Sequence, residues 1–159
     1  MKKRECLEYL FRVSWDNAVI PGVGRVTALK GSADVIQVRE GGDQGHSHPV
    51  PGQWKFEPIT LERGVSHDTA FESWANTVSG GAAGPALIRK DVQIELLDRK
   101  GKLMLVYHLH RCWPSAYAAF EQLVDDGRSC LREALTLQHE GWERQVPLKL
   151  VSAAHRIRR

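Results

Sequence analysis

The stretch Asp34–Gly64, DVIQVREGGDQGHSHPVPGQWKFEPITLERG, decides how the rest of the chain is read. Val35, Ile36 and Val38 open an alternating segment that runs into Arg39-Glu40-Gly41-Gly42. A polar loop rich in Gly, His and Pro follows over about Gly41 to Gln53, and Lys55 to Arg63 alternates again. Alternation is the mark of a half-buried strand. The segment therefore predicts two strands joined by a long exposed connection. Connections of that length are usually functional, and here the expected function is assembly rather than catalysis. Pro58, inside the return strand, is expected at an edge or bulge where the ladder needs no N–H.

Working outward, Leu7 to Ser14 alternates as a strand, with turns at Asp16-Asn17 and Pro21-Gly22. Arg25 to Lys30 and Asp34 to Glu40 read as one long strand bulged near Gly31-Ser32. Beyond Gly64, Asp68 or Thr69 opens the one clear helix; Thr69 and Glu72 have capping-box spacing, and Phe71, Trp74, Ala75 and Val78 form a helical stripe that ends at Gly80-Gly81. Ile88 to Asp98 and Lys102 to Cys112 are strands around the turn Arg99-Lys100-Gly101. Trp113-Pro114 is expected to bend the chain. Ser115 to Gln122 fits either a strand or a short helix. After the turn at Asp125-Asp126-Gly127, Ser129 to His139 is a strand. The whole predicts a mainly β fold, an antiparallel barrel or sandwich of about six to eight strands with one flanking helix over about 68–79.

At 159 residues, with 42% apolar and 26% charged side chains, the chain suits a single globular domain. A net charge of +3 is too mild to argue for nucleic acid. Its ends are basic: Lys2, Lys3 and Arg4, then Lys149, Arg156, Arg158 and Arg159. Cys6, Cys112 and Cys130 are odd in number and far apart, which predicts reduced thiols rather than a disulfide framework. Glu5, Glu8 and Arg12 interrupt any signal-peptide core, and no apolar run is long enough to span a bilayer.

Several constellations imitate chemistry. Ser66-His67-Asp68 spells a catalytic triad, but three adjacent residues point apart and suit a helix cap. His108, His110 and Cys112 would share one face of a strand. Successive same-face residues stand roughly 6.5–7 Å apart, so the outer two cannot reach one ion unless the strand bends sharply. A metal-binding barrel using these three is kept as an alternative. Gly41-Gly42-Asp43-Gln44-Gly45 is followed by neither a Lys-Ser/Thr signature nor a helix, so it offers no phosphate cradle. Trp54-Lys55-Phe56 is the one hint of an aromatic and basic surface for nucleic acid, a further alternative.

The motifs also occur in a recognisable order. Val38-Arg39-Glu40-Gly41-Gly42-Asp43 comes first, then Ile59-Thr60-Leu61-Glu62-Arg63-Gly64 and the helix with Trp74. Arg89-Lys90-Asp91-Val92, Ile94-Glu95-Leu96-Leu97-Asp98, Trp113-Pro114 and His139-Glu140-Gly141-Trp142-Glu143-Arg144 follow. From about Tyr9 to Arg144 this resembles the tail tube protein family of contractile phages, in particular the branch found in phage-tail-like contractile injection systems. That family is similar in fold to the tube protein of type VI secretion.

The resemblance implies a non-enzymatic structural subunit without cofactor or metal. Its hexameric rings would stack into a hollow tube that sheath contraction drives forward. It implies a sheath protein, a baseplate hub or spike, tube-terminating proteins and a possible luminal cargo as partners. Assembly would take place in the bacterial cytoplasm, with a particle that acts outside the cell. The long hairpin from Val35 to Arg63 would line or bridge the tube, and its loop would meet the next ring. Arg39, Glu40, Gly41, Gly42, Asp43, His46, His48, Pro51 and Arg63 are the candidate oligomer contacts. Residues 1–145 would form the tube domain and 146–159 a basic C-terminal extension. That extension and the alanine-rich Ser115–Val124 depart from the family pattern. An adaptor that starts the tube on the baseplate hub is the alternative role.

Overall fold

A computed structural model describes residues 9–42, 45–81, 84 and 88–147. Asp43, Cys6, the basic N-terminal residues and 148–159 of the C-terminal extension lie outside the described residues.

The chain forms strands β1 (Leu10–Trp15), β2 (Ala18–Ile20), β3 (Val23–Val26), β4 (Gly31–Val38), β5 (His48–Phe56) and β6 (Ile59–Gly64), then helix α1 (Ala70–Ser79). Strands β7 (Lys90–Leu97), β8 (Leu103–Asp125), β9 (Arg128–Gln138) and β10 (Trp142–Gln145) complete it. Every pairing is antiparallel. The main sheet runs β2-β1-β7-β8-β9-β6-β3, with β10 added to β8, while β4 and β5 pair only with each other. The two ends of that order, β2 and β3, are joined by Pro21-Gly22, with Gly22 at φ 80°. The sheet thus curls until its ends nearly meet, without a ladder that closes it into a barrel.

β8 makes the curl possible. Its first half pairs with β7 through Cys112 and with β10, and its second half pairs with β9 from Trp113 to Asp125. One strand therefore belongs to both walls. Val13, Val92, Ile94 and Leu109 from one wall meet Ile59, Leu61, Leu135 and Leu137 from the other. Phe71 and Trp74 of α1 close the same core, with Trp15 stacked 6.0 Å from Phe71 and tilted 4.8 Å from Trp74. Trp74 is fixed in rotation because its indole N–H donates to the Ile88 carbonyl at 2.7 Å. Two aromatic side chains buried this completely stabilise the helix–sheet contact by several kcal/mol, at roughly 1.5–3 kcal/mol per large side chain.

Four sequence expectations are revised. The break after β3 falls at residues 27–30, ahead of Gly31, and the bulge sits between Ala33 and Val35. Lys55 to Arg63 is two strands in two different sheets, with Glu57-Pro58 as the break. A proline there ends one ladder and starts another. Trp113-Pro114 lies within β8, and of the two readings open for Ser115 to Gln122 the strand is the one that forms. The helix is capped by Asp68, whose Oδ1 accepts from the Ala70 N–H at 3.0 Å; Thr69 makes no capping bond.

The metal reading of β8 fails on parity. Leu109 faces the core, so a regular strand would place Arg111 there too. Arg111 instead adopts φ 50°, and its N–H donates to Asp91 Oδ1. This irregularity resets the alternation, and Cys112 turns into the core while His108 and His110 stay on the other face. His108 meets Gln145 at 3.1 Å and His110 lies 3.7 Å from Glu143. Burial pushes the Cys112 thiol up to about 12.

Candidate assembly surface

The β4–β5 ribbon stands apart from the main sheet. A lone two-stranded ribbon is marginal in water, and this one exposes apolar side chains on both faces. Val35 and Ile36 are consecutive, so they point to opposite faces, yet they are 67% and 50% exposed. Val35 lies across from Pro51, and Ile36 lies across from Val50. Trp54 is 55% exposed, and Val38 and Phe56 are exposed too. Neither face packs into the subunit's own core, so the expected division into a core face and a polar face does not describe this ribbon. Where that division does hold is across β3, β6, β9 and β8. There Arg25, Glu62, Arg132 and Glu121 form a charge ladder on the outer face, with contacts of 3.6, 2.6 and 3.5 Å.

Close backbone packing gives the ribbon its shape. A Cβ at Gly31 would lie 2.5 Å from the Trp54 ring, and one at Gly52 would lie 3.0 Å from the Asp34 carbonyl oxygen. Lys55 bridges the strands to Asp34 at 2.8 Å. At the base, Phe56 packs against His139 and Trp142, with centroids 5.6 and 5.5 Å away. His139 clasps the ribbon to the body. Its Nδ1 accepts from the Gly141 N–H, so Nε2 carries the proton and donates to the Glu57 carbonyl at 2.9 Å. Burial holds the His139 pKa below its usual value, against the pull of the Glu57 carbonyl.

The candidate contact residues fall in three places. Arg39, Glu40, Gly41, Gly42 and His46 lie on the connection between β4 and β5, exposed, with Gly42 at φ 138°. His48 and Pro51 lie within β5 rather than in the loop, because β5 begins at His48. Arg63 lies in the interior, where its fully buried side chain meets Glu133 at 2.8 Å and Asp68 at 2.9 Å. It also donates to the carbonyls of Pro21 and Asp68, and its guanidinium lies 4.2 Å over the Phe71 ring. Burial alone would lower the Arg63 pKa, but the bonds to Glu133 and Asp68 outweigh it and raise the value. The same bond to Arg63, helped by the Ala70 N–H, holds Asp68 below the usual carboxylate range. Tyr117 donates to the other Glu133 oxygen at 2.8 Å, and burial beside that carboxylate pushes its hydroxyl up to about 12. Arg63 is thus an internal tie between the β2–β3 turn, β6, the helix start and β9.

A second exposed apolar surface was not anticipated. Phe120 and Val124 on β8 and Leu131 on β9 are exposed near the tip of their hairpin, with Leu131 across from Gln122. The signal was Phe120 and Val124 four positions apart, on one face of a strand, masked by the alanines that made the segment look helical. Its turn, Asp126-Gly127 at φ 47° and 76°, is the tight hairpin the sequence implies.

Comparison with known proteins fits this geometry. The family described as T4-like virus tail tube protein gp19 matches residues 7–143. A chain in the PVC sheath–tube complex of an extracellular contractile injection system, in its extended state, is 25% identical. That likeness has a TM-score of 0.69 and covers 87% of this chain and 90% of that one. A chain of the six-fold symmetrised anti-feeding prophage baseplate is 18% identical at TM-score 0.68, covering 92% and 97%. Hcp1 from Salmonella typhimurium is 10% identical at TM-score 0.54, covering 89% and 88%. The last two likenesses speak to the fold alone. No protein of curated function matches the sequence.

Proposed function

The chain belongs to the T4-like virus tail tube protein gp19 family, and from that premise we propose that it is the inner-tube subunit of a phage-tail-like contractile injection system. Six copies form a ring, rings stack into a hollow tube, and sheath contraction drives the tube forward. The role is structural rather than catalytic. The observation that carries the reading is the β4–β5 ribbon, which exposes Val35 and Ile36 on opposite faces and has no core of its own to cover them. Apolar surface of that kind marks an association site, and a head-to-tail contact between unlike patches generates a ring when its rotation closes. The exposed residues of the connecting loop, Arg39 to Gly42 and His46, contact the next ring, as does Asp43. His48 and Pro51 make subunit contacts through β5.

Sheath, baseplate hub or spike, and tube terminator are the proposed partners. Assembly takes place in the bacterial cytoplasm, and the finished particle acts outside the cell. Negative-stain electron microscopy of the purified chain tests this reading. Rings or stacked tubes are the expected result, and a strictly monomeric species at high concentration contradicts it.

A second reading is a tube-initiating adaptor, for which the basic segment 146–159, beyond the residues 7–143 that the family matches, supplies a candidate attachment. In that reading residues 1–145 are the tube domain, and 146–159 attach it to the hub. Deleting 146–159 separates the two. Loss of baseplate attachment with polymerisation intact supports the adaptor, and loss of polymerisation supports the tube body.

A further inference from the structure

We propose that an apolar groove at the open end of the core is the docking site for this chain's own Leu148, Leu150 and Val151, which tie the basic stretch after them to one place on the subunit. The proposal holds for a tube body and for an adaptor alike.

The groove has a volume of about 430 Å³. Phe11 on β1, Leu96 on β7, Tyr107 on β8 and Trp142 on β10 line one side of it, and Val26 and Leu29, at and after the end of β3, complete the lining. All six pack against the core and are only half-buried. An apolar hollow of this kind is covered by something in the working molecule.

The strand register shows where the chain leaves β10. β1, β7, β8 and β10 lie side by side in that order. Arg144, which also lines the groove, is level with Tyr107 and Ile94. The next residue of that parity, Val146, falls in line with Leu105, Leu96 and Phe11, and it is 41% exposed. The ladder cannot carry the chain further. His110 turns its N–H and C=O to residues 140–141, so alternation turns those of His108, Val106 and Met104 the same way. Continuing the register would put Pro147 across from Met104, and Pro147 has no N–H to give. The chain therefore departs from β10 level with Leu96 and Phe11.

Reach then selects the occupant. Adjacent strands are about 4.8 Å apart, so Leu96 lies about 10 Å across the sheet from β10 and Phe11 about 14 Å. An extended chain advances about 3.3–3.6 Å per residue. Counted from Pro147, position 150 reaches Leu96 and position 151 reaches Phe11, and these are Leu150 and Val151. Leu148 shares the face of Leu150, while Lys149 between them turns to solvent. The residues ahead of β1 are poorer occupants, because Lys2, Lys3, Arg4, Glu5 and Glu8 are charged. Docking at 148–151 leaves His155, Arg156, Arg158 and Arg159 in solvent, held beside the groove and ready for a partner.

The test replaces Leu150 in the full chain with the photoreactive residue benzoylphenylalanine. Cross-links are mapped by mass spectrometry in a mixture of isotope-labelled and unlabelled chains, which separates links within a chain from links between copies. The expected result is cross-linking within one chain to 26–29, 96, 107 or 142. A second arm follows binding of an apolar fluorescent dye. Leu148→Asp with Leu150→Asp should raise dye binding with an unchanged circular dichroism spectrum, and Lys149→Asp should not. Adding Ala28→Trp, which fills the groove from an exposed position on its lining, should reverse that gain.

Cross-links from position 150 to the groove of another copy would make a second copy the occupant and overturn the proposal. Cross-links that miss the groove, or dye binding that Leu148→Asp/Leu150→Asp leaves unchanged, overturn it as well. Absence of rings or tubes overturns the tube reading and leaves this inference standing, because the docking is within one subunit.

Discussion

Removing Arg63 leaves Glu133 buried without its cation. Breaking a buried pair by deleting one partner costs about 3–5 kcal/mol, much of it the stranded charge. Arg63→Ala should therefore destabilise the subunit by about that amount in chemical denaturation, and Glu133→Gln should cost less because the Tyr117 contact survives. A loss near zero would show that the buried network is not holding β6, α1 and β9 together. His139 gives a pH signature. Its folded pKa lies below its unfolded value, so its contribution is complete above about pH 6.5. It is lost as pH falls through the lower folded value. Hydrogen exchange at the ribbon base, in peptides spanning 56–57 and 139–142, should accelerate with acidification, and His139→Phe should abolish that dependence. The two described thiols should also differ. Cys130 is exposed and should react quickly with a maleimide, whereas the buried Cys112, whose pKa is pushed up to about 12, should react only on unfolding. Arg63 also shows where sequence reasoning misplaced a residue. It sits in a motif that suggests a contact, but alternation alone cannot say whether a charged side chain turns in to meet a partner on another strand.

At the scale of elements, legibility followed locality. The turns at Asp16-Asn17, Gly101 and Asp126-Gly127 were readable because their left-handed conformations demand those residue types. α1 was readable from the spacing of Phe71 and Trp74, though not its cap, because Asp68 and Thr69 are both good capping residues. What was not readable depended on distant partners. β8 runs 23 residues because β7, β10 and β9 each hold part of it. β10 is four residues long, too short to show a period. The ribbon itself was legible, but its independence from the main sheet was not. Charged substitutions on it should separate folding from association. Ile36→Asp and Gly41→Glu are each expected to leave the subunit's thermal midpoint within about 1 °C while blocking assembly in sedimentation. The Ile36 side chain is half-exposed, and nothing lies near a Cβ at Gly41. Loss of the subunit fold in Ile36→Asp would show instead that the ribbon is part of the core.

At the scale of the whole molecule, the core lies between the two walls of one curled sheet and is closed by α1, so the subunit folds around itself. Among the described residues, the β4–β5 ribbon and the Phe120–Val124–Leu131 patch are two unlike apolar surfaces left exposed. Unlike patches on one subunit are what a head-to-tail ring requires. The most direct measurement is electron microscopy of the purified wild-type chain with class averages viewed down the particle axis. The account predicts closed six-fold rings with an open centre, stacking end to end into tubes. Isolated subunits, or symmetric dimers that grow no further at high concentration, would contradict it.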